Sequence, residues 1–409
     1  MQSDLYQEYT LNNGIQLIFR QNLSSVGHIG FLVNAGTRDE IKGELGLAHF
    51  IEHTLFKGTK KRKSYQIINR LEDVGGELDA YTTKEDTFIS ASFLKKYFDR
   101  ALELISDIAF NSTFPEKELE KEKEVVIDEI NSYKDNPGEL IFDEFENLIF
   151  GEHPLGHDIL GTKASVKKLT SKKIKEFIAR NYGTNQIIIS VVGNMDFKLV
   201  KNKFIKYFDK IPKNTVNNNR NTPVIFKKQE IIKQKDTYQA HCIMGGIAYE
   251  TSNTNRLNLI LLNNIIGGPG MNSLLNMSLR EKHGLVYNVE SNYSHFNDTG
   301  YWSIYIGTDK NNLDKSITLT EKILKEKREK LISTSKLEKT KKQLLGQIAI
   351  GAENYSDYVF TIAKSKLIFG KISTFAEIEK SINAITPNNL LEIANQVYTN
   401  ENTSVLIYK

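Results

Sequence analysis

Residues 169–192 read LTSKKIKEFIARNYGTNQIIISVV, and residues 385–407 read ITPNNLLEIANQVYTNENTSVLI. Each stretch predicts a helix, then a tyrosine, then a short strand rich in β-branched residues. Thr170 matches Thr386 and Tyr182 matches Tyr398, both at an offset of 216 positions. This shared order of elements indicates that the chain contains a diverged duplication.

The same order extends towards the N-terminal side of each half. Residues 86–90, DTFIS, precede a predicted helix in the first half, and residues 298–302, DTGYW, precede one in the second. The segment between the halves is polar, rich in asparagine and bounded by prolines, which is typical of a linker. The sequence therefore predicts an α+β fold, with domains at 1–210 and 224–409 joined by a linker at 211–223.

The first half carries the clearer local patterns. Hydrophobic periodicity and turn residues predict strands at 14–19 and 28–33, strand-like alternation over 78–93, and a strand at 186–192. They predict helices at 44–57, 94–110, 115–150 and 171–181, with Gly58 at the C-terminus of the first.

Composition excludes several classes of protein. Charged residues make up 25% and hydrophobic residues 40%, as in ordinary globular proteins rather than disordered ones. The net charge of +4 is too small to indicate nucleic acid binding. One cysteine cannot form an intrachain disulfide, and no apolar run approaches the roughly 18 residues of a membrane helix. The N-terminal residues do not resemble a signal peptide, so we expect a cytoplasmic protein without a membrane partner.

The segment that carries chemistry is GLAHFIEHTLF, residues 46–56. On a helix, His49, Glu52 and His53 share one face because they are spaced i, i+3, i+4. Two imidazoles one turn apart can bind one metal ion, and zinc suits these donors. Zinc lowers the pKa of bound water towards about 7. Glu52 is then placed to accept the proton of the water and to pass it to the leaving amine.

A third zinc ligand must come from another element. The predicted helix at 116–133 offers several carboxylates, and most of them belong to a charge run of the kind that usually faces solvent. Glu129 differs because it lies in the aliphatic stretch 125–130, which also contains Asp128, and a buried carboxylate needs a partner. Spacing alone does not choose between these two residues. The second half has no H-x-x-E-H, so we expect one Zn²⁺ per chain.

These residues resemble the M16 peptidases, which include the mitochondrial processing peptidase, pitrilysin and insulin-degrading enzyme. Residues 46–53 are similar to the family's G-x-x-H-x-x-E-H. The resemblance implies two homologous domains, each with a mostly antiparallel sheet packed with helices, as in metallohydrolases of the LuxS and processing-peptidase type. It also implies that Glu129 is the third zinc ligand and that Glu122 lies beside the metal and orients a ligand.

The resemblance further implies how substrate binds. Residues 74–82 are similar to a glycine pair followed by an edge strand, so that Asp79, Ala80 and Tyr81 would bind an extended peptide by strand addition. The alternative is a plain internal strand. In the second half Arg280 and Tyr287 resemble an arginine–tyrosine pair that supports the substrate and the developing oxyanion. The alternative is an exposed arginine and a packed tyrosine.

Relatives of this length form half of a clamshell, in which two subunits enclose a chamber. One chain here carries both the zinc motif and the arginine–tyrosine pair, which suits a homodimer; a heterodimer with a related subunit is the alternative. We therefore expect a zinc metalloendopeptidase acting on peptides or unfolded segments. A catalytically silent scaffold or partner subunit is the other function, and a dedicated processing peptidase is the other enzyme.

Overall fold

The computed structural model describes residues 5–223 and 226–409. Eleven strands occur in these ranges: β1 Tyr6–Thr10, β2 Gln16–Gln21, β3 Val26–Val33, β4 Glu77–Thr82, β5 Thr87–Leu94, β6 Ile187–Gly193, β7 Glu230–Lys233, β8 Ala240–Ala248, β9 Val286–His295, β10 Gly300–Thr308 and β11 Ser404–Tyr408. The helices of the first half are α1 Leu47–Leu55, α2 Ser64–Glu72, α3 Phe98–Asn111, α4 Glu116–Lys134, α5 Pro137–Phe150, α6 Lys163–Val166, α7 Ser171–Asn181 and α8 Phe197–Phe208. Those of the second half are α9 Arg256–Gly267, α10 Leu313–Glu329, α11 Thr334–Gly351, α12 Tyr355–Phe369, α13 Phe375–Asn383 and α14 Pro387–Val397.

The strands form two sheets whose topologies match over five strands, and the first sheet has one more edge strand, β1. The first sheet has the order β1-β2-β6-β3-β5-β4, and the second has the order β7-β11-β8-β10-β9. One pair in each sheet is parallel, β2 with β6 and β7 with β11, and the other pairs are antiparallel. The prediction of a duplicated α+β fold with mostly antiparallel sheets is confirmed.

In the two duplicated stretches the helix begins and ends at equivalent residues. Thr170 caps α7 by accepting a hydrogen bond from the Lys173 amide, and Thr386 caps α14 by accepting one from the Asn389 amide. A threonine hydroxyl at this position satisfies an amide that has no partner inside the helix. Tyr182 and Tyr398 stand directly after the last residues of these helices, and both are buried.

The chain divides into two compact units that are not continuous in sequence. One contains 1–131, 157–221 and 352–372, and the other contains 132–156, 222–351 and 373–409. Helix α5 of the first half thus belongs to the second unit, and α12 of the second half belongs to the first. The predicted boundaries at 210 and 224 describe the duplicated sequence and stay a prediction.

In each unit the exchanged helix covers one face of the sheet. In the first unit Val359, Ile362 and Ala363 of α12 pack with Ile18, Leu32, Phe88, Ile188 and Val192 of the strands. The other face carries the larger core, to which α1, α3, α4, α7 and α8 contribute. In the second unit α5 packs on residues of β8, β10 and β11. Each sheet is therefore a middle layer between helices.

We expect Ile362→Ala to lower the free energy of unfolding by about 2–4 kcal/mol, because it opens a cavity between α12 and the sheet. Ile362 is 1% exposed, whereas Ile350 on α11 is 76% exposed. Ile350→Ala is the matched control and should change stability by less than about 0.5 kcal/mol. Urea unfolding followed by circular dichroism measures both. Equal effects of the two substitutions would contradict the role of α12 as part of the first core.

Two local predictions were wrong. The predicted helix at 115–150 is two helices, because Pro137 begins α5 and the residue before a proline disfavours helical geometry. Gly58 does not end α1, which stops at Leu55; it forms an isolated bridge with Lys63 instead.

The predicted linker is anchored over part of its length. Arg220 pairs with Asp39 at 2.7 Å, and its side chain is only 6% exposed. The same guanidinium lies 3.5 Å from Glu85, which also pairs with Arg38. This buried ion-pair cluster fixes residue 220 to the first unit, so that the end of the segment is part of the fold.

Candidate metal centre

Helix α1 presents its metal-binding face from a well-packed position. Leu47, Ala48, Phe50, Ile51 and Leu55 are buried in the core of the first unit, on the side that the H-x-x-E-H residues leave free. An amphipathic helix held in this way has little rotational freedom, because turning it would expose its apolar stripe. The packing therefore sets the direction in which the two histidines point.

Glu40 and Gly46 hold the N-terminus of α1. The N-cap residue is Gly46, which has no side chain to cap the helix. The carboxylate of Glu40 takes that role and accepts hydrogen bonds from the amides of Gly46 at 3.0 Å and Ala48 at 2.9 Å. Gly46 has φ +83°, and a Cβ there would lie 2.6 Å from the carbonyl oxygen of Leu160. Only glycine combines this dihedral with this close approach. Burial raises the pKa of Glu40 well above its usual range, although the amide hydrogen bonds act in the opposite direction.

We expect Glu40→Ala to destabilise the protein by about 2–4 kcal/mol, because two buried amides at the start of α1 would lose their acceptor. Glu124→Ala is the control, since Glu124 is exposed on α4. Thermal unfolding in the presence of a chelator separates this effect from metal binding. A Glu40 variant as stable as the Glu124 variant would show that the carboxylate does not anchor the helix.

Three potential metal ligands converge on one point. The Oε2 atom of Glu129 on α4 lies 3.7 Å from Nε2 of His49 and 3.4 Å from Nε2 of His53. One donor atom from each of these residues lies within 4.8 Å of the others. Asp128, which the sequence left as the other choice, is exposed. The structure thus brings together His49, His53 and Glu129.

The protonation of the two imidazoles follows from their neighbours. Burial, followed by the proximity of His53, lowers the pKa of His49 to about 4. Burial also opposes a charge on His53, but the carboxylates of Glu122 and Glu129 outweigh it and raise the pKa of His53 to about 9. Contact with His53 holds the pKa of Glu129 below its usual range.

These residues fit a zinc ion. Two histidines and a glutamate are a known catalytic zinc set that leaves one coordination position open. The low pKa of His49 keeps its imidazole neutral, the form that binds metal, whereas His53, with its raised pKa, has to release a proton when the ion binds. Among the described residues, Glu129 Oε2 is buried without a hydrogen-bond partner, which a cation between it and the imidazoles would provide. The donor types, their convergence and the unpartnered oxygen agree.

Glu122 binds the Nδ1 side of the His53 ring, and Lys57 in turn binds Glu122. Because a carboxylate has no proton to give, Nδ1 of His53 donates to Glu122 Oε1 at 3.0 Å, so that Nε2 is the ring atom that faces Glu129 and would bind the metal. Lys57 Nζ lies 2.7 Å from the other oxygen of Glu122. Burial opposes the charge of Glu122, but these two donors lower its pKa. The sequence predicted Glu122 and missed Lys57, which lies beyond the end of α1 at Leu55 and so has no helical spacing that would point to it.

Glu52 lies on the same helix face as the histidines. Burial raises the pKa of Glu52 to about 7, while a hydrogen bond from Thr82 and the charge of His53 lower it. Thr82 ends the strand β4, and its hydroxyl also lies 3.4 Å from the carbonyl oxygen of Ala48 on α1. Thr82 was not predicted, since nothing in its sequence context marks a carboxylate partner.

The strand β4 is at the edge of the first sheet. Among the strands of the described residues it pairs with β5 alone, from Glu77 opposite Ser92 to Thr82 opposite Thr87. Asp79 and Tyr81 are exposed, and Ala80 packs against the core. The alternative of an internal strand is therefore wrong, and the contact between Thr82 and Ala48 shows that the free edge ends beside α1.

Arg280 and Tyr287 belong to the second unit. Arg280 is exposed on a π-helical turn, Asn276–Lys282, and the turn ends before Gly284, which has φ +59°. Tyr287 is the second residue of β9, is 52% exposed, and donates its hydroxyl proton to Asp309 at 3.0 Å. Tyr287 is thus exposed rather than packed, whereas Arg280 is exposed as the alternative expected, and the role of the pair stays a prediction.

Two family models and several named proteins match this chain in sequence. The family model "Insulinase (Peptidase family M16)" matches residues 18–163, and the model "Peptidase M16 inactive domain" matches residues 168–344. An uncharacterized zinc protease of Bacillus subtilis, YmxG, is 32% identical over 98% of both chains. One of Rickettsia bellii is 30% identical over 97% of this chain and 96% of its own.

Two solved structures show the same fold. A crystal structure titled as a peptidase M16 inactive domain from Pseudomonas fluorescens has a TM-score of 0.91 and 19% identity over 98% of both chains. A protease from Helicobacter pylori has a TM-score of 0.89 and 23% identity over 99% of both chains.

In the described parts of the present chain, no helix is long and apolar enough to cross a membrane.

Proposed function

Because this chain belongs to the M16 peptidase family, we propose that it is a zinc-dependent endopeptidase that hydrolyses peptides or unfolded segments. Its family membership confirms the resemblance seen in the sequence, and its relatives are named zinc proteases. The observation that carries the proposal is the convergence of His49, His53 and Glu129, with Glu52 on the same helix face.

His49, His53 and Glu129 hold the ion, one Zn²⁺ per chain. When bound, zinc supplies Lewis acidity, which lowers the pKa of water and polarises a carbonyl group. The other parts of the proposed reaction belong to protein side chains.

Glu52 is the proton carrier in this proposal. Its carboxylate accepts a proton from the attacking water and gives it to the nitrogen of the leaving amine, which balances the hydrolysis of one peptide bond. A carboxyl group with a pKa near neutrality exchanges protons readily in both directions. The contact with Thr82 favours the ionised form, which is the one that accepts the proton.

The edge of β4 binds the substrate backbone in this proposal. An extended peptide can add to the edge of a sheet through main-chain hydrogen bonds, which do not depend on its sequence. Residues Asp79, Ala80 and Tyr81 lie on the free edge, and the end of the strand contacts α1 through Thr82. A peptide bound there would run towards Glu52, and an already folded protein could not offer the extended segment that this requires.

Arg280 and Tyr287 complete the proposed site from a second subunit. Donors of this kind stabilise the oxyanion that forms on the carbonyl group during hydrolysis. Both side chains are exposed, which a role towards a partner subunit requires. We propose a homodimer that encloses a chamber, with a related subunit as the alternative partner.

Metal analysis together with cleavage of a quenched peptide tests the function. The proposal expects one zinc per chain and zinc-dependent cleavage that a chelator abolishes. Bound zinc without cleavage of any peptide in a mixed library would favour the silent scaffold. Cleavage at a single sequence would favour a processing peptidase over a general degrader. The mass of the native assembly, measured in the same preparation, tests the dimer.

A further inference from the structure

We propose that Lys57 is a positioning residue for the metal centre, acting through Glu122 to fix the orientation of His53. This inference rests on the proposed function, since it concerns the residues that would hold zinc. It assigns a role to a side chain that neither binds the metal nor touches the substrate.

The three side chains form a continuous chain of contacts. His53 Nδ1 donates to Oε1 of Glu122 at 3.0 Å, and Lys57 Nζ lies 2.7 Å from Oε2. Each oxygen of the carboxylate is thus held by a different donor. With one oxygen held by Lys57, the carboxylate cannot rotate freely about its last bond, and the acceptor that faces His53 keeps its place.

Burial makes this second donor necessary. The side chain of Glu122 is only 8% exposed, so little water reaches its carboxylate. A buried carboxylate that loses one of its two partners is left with an uncompensated charge and tends to move towards solvent. Such a movement would remove the acceptor of His53 Nδ1 and allow the imidazole to rotate away from Glu129.

The backbone places Lys57 where it can act in this way. The residue follows the end of α1 and is held in a turn by the bond of its amide to the carbonyl of Thr54, at 3.1 Å. Its side chain is 28% exposed, so replacing the ammonium by an apolar group of similar length opens no buried cavity. The role can therefore be tested without unfolding the protein.

The test measures zinc affinity by competition with a chromogenic chelator. We expect Lys57→Met to weaken zinc binding about 10-fold, the lower end of the effect of removing a partner of a ligand histidine. Lys57→Arg keeps a cationic donor and should restore most of the affinity. The control is Lys203→Met, because Lys203 makes a similar pair with Asp99, at 2.8 Å and 31% exposure, away from the metal ligands. It should bind zinc like the unmodified chain.

A double-mutant cycle shows whether Lys57 acts through Glu122. In a Glu122→Ala background, Lys57→Met should cause no further loss, because the two changes break the same connection. An undiminished 10-fold loss in that background, or a Lys57→Met variant that binds zinc as tightly as the Lys203→Met variant, would overturn the inference. Melting temperatures of the metal-free variants show that all of them fold.

The same data separate this inference from the proposed function. If the unmodified chain binds zinc and cleaves no peptide, the peptidase assignment fails while the affinities still decide the role of Lys57. If the unmodified chain does not bind zinc, both fail, and that is seen before any variant is compared.

Discussion

Replacing Glu52 by glutamine is expected to lower kcat for peptide cleavage by about 10²–10⁴-fold, the usual contribution of a general acid–base group. Glutamine has nearly the same shape but cannot accept the proton of the attacking water. Zinc should remain bound, because Glu52 is outside the set of His49, His53 and Glu129. Steady-state kinetics on a quenched peptide, with zinc measured on the same sample, give both quantities.

The control is Glu72→Gln, since Glu72 is exposed at the end of α2. It should retain full activity and full zinc content. If the Glu52 variant cleaved peptide at the rate of the Glu72 variant, another group would have to carry the proton. If the Glu52 variant lost zinc, its inactivity would not report on proton transfer. Glu52 would then be a residue that stabilises metal binding.

The second large effect is expected at the third ligand. Glu129→Gln should weaken zinc binding by more than about 100-fold, because a coordinating carboxylate is lost. This is a larger effect than removing a residue that only hydrogen-bonds a metal ligand. Cleavage at limiting zinc should fall with it. Chelator competition measures the affinity, and added zinc should restore part of the activity.

The neighbouring residue supplies the matched control. Asp128 precedes Glu129 on α4, and its side chain is exposed. Asp128→Asn should therefore bind zinc as the unmodified chain does. Equal losses from the two substitutions would mean that the negative charge of this helix turn, rather than one coordinating oxygen, attracts the ion. A loss in the Asp128 variant alone would reverse the choice between the two residues.

The sequence predicts the metal-binding helix well because its signal is local. His49, Glu52 and His53 share a face at any helix length. The helix was predicted to end at residue 57 and ends at Leu55, but this difference does not change the spacing of the three residues. The third ligand is different. Asp128 and Glu129 are adjacent on α4, and only the packing of α4 decides that Glu129 faces α1. The resemblance to the family, rather than spacing, chose Glu129.

The exchange of α5 and α12 could not be predicted from local pattern. An apolar stripe such as that of Val359, Ile362 and Ala363 shows that a helix needs a partner surface, but it does not say which sheet provides it. Because the halves are duplicated, the sequence pattern predicts two similar sheets and does not distinguish between them as partners. The chain therefore passes between the two units five times, at 131/132, 156/157, 221/222, 351/352 and 372/373, where two units that followed the halves would need one passage.

Supporting residues are the hardest to find in a sequence. Glu40 acts on α1 from six positions before Gly46, and Lys57 acts on His53 through a carboxylate 65 positions away. Neither belongs to a periodic pattern, since each contact depends on a turn of the backbone. Their effects on the orientation of the metal ligands become visible only when the distances are known.

The proposed activity depends on one ion held by three side chains. Zinc-loaded crystals measured on both sides of the zinc absorption edge test this directly. A single anomalous peak is expected in each chain, about 2.0–2.2 Å from Nε2 of His49, Nε2 of His53 and an oxygen of Glu129. A fully loaded protein with its peak elsewhere, or with Glu129 turned away from the ion, would contradict it.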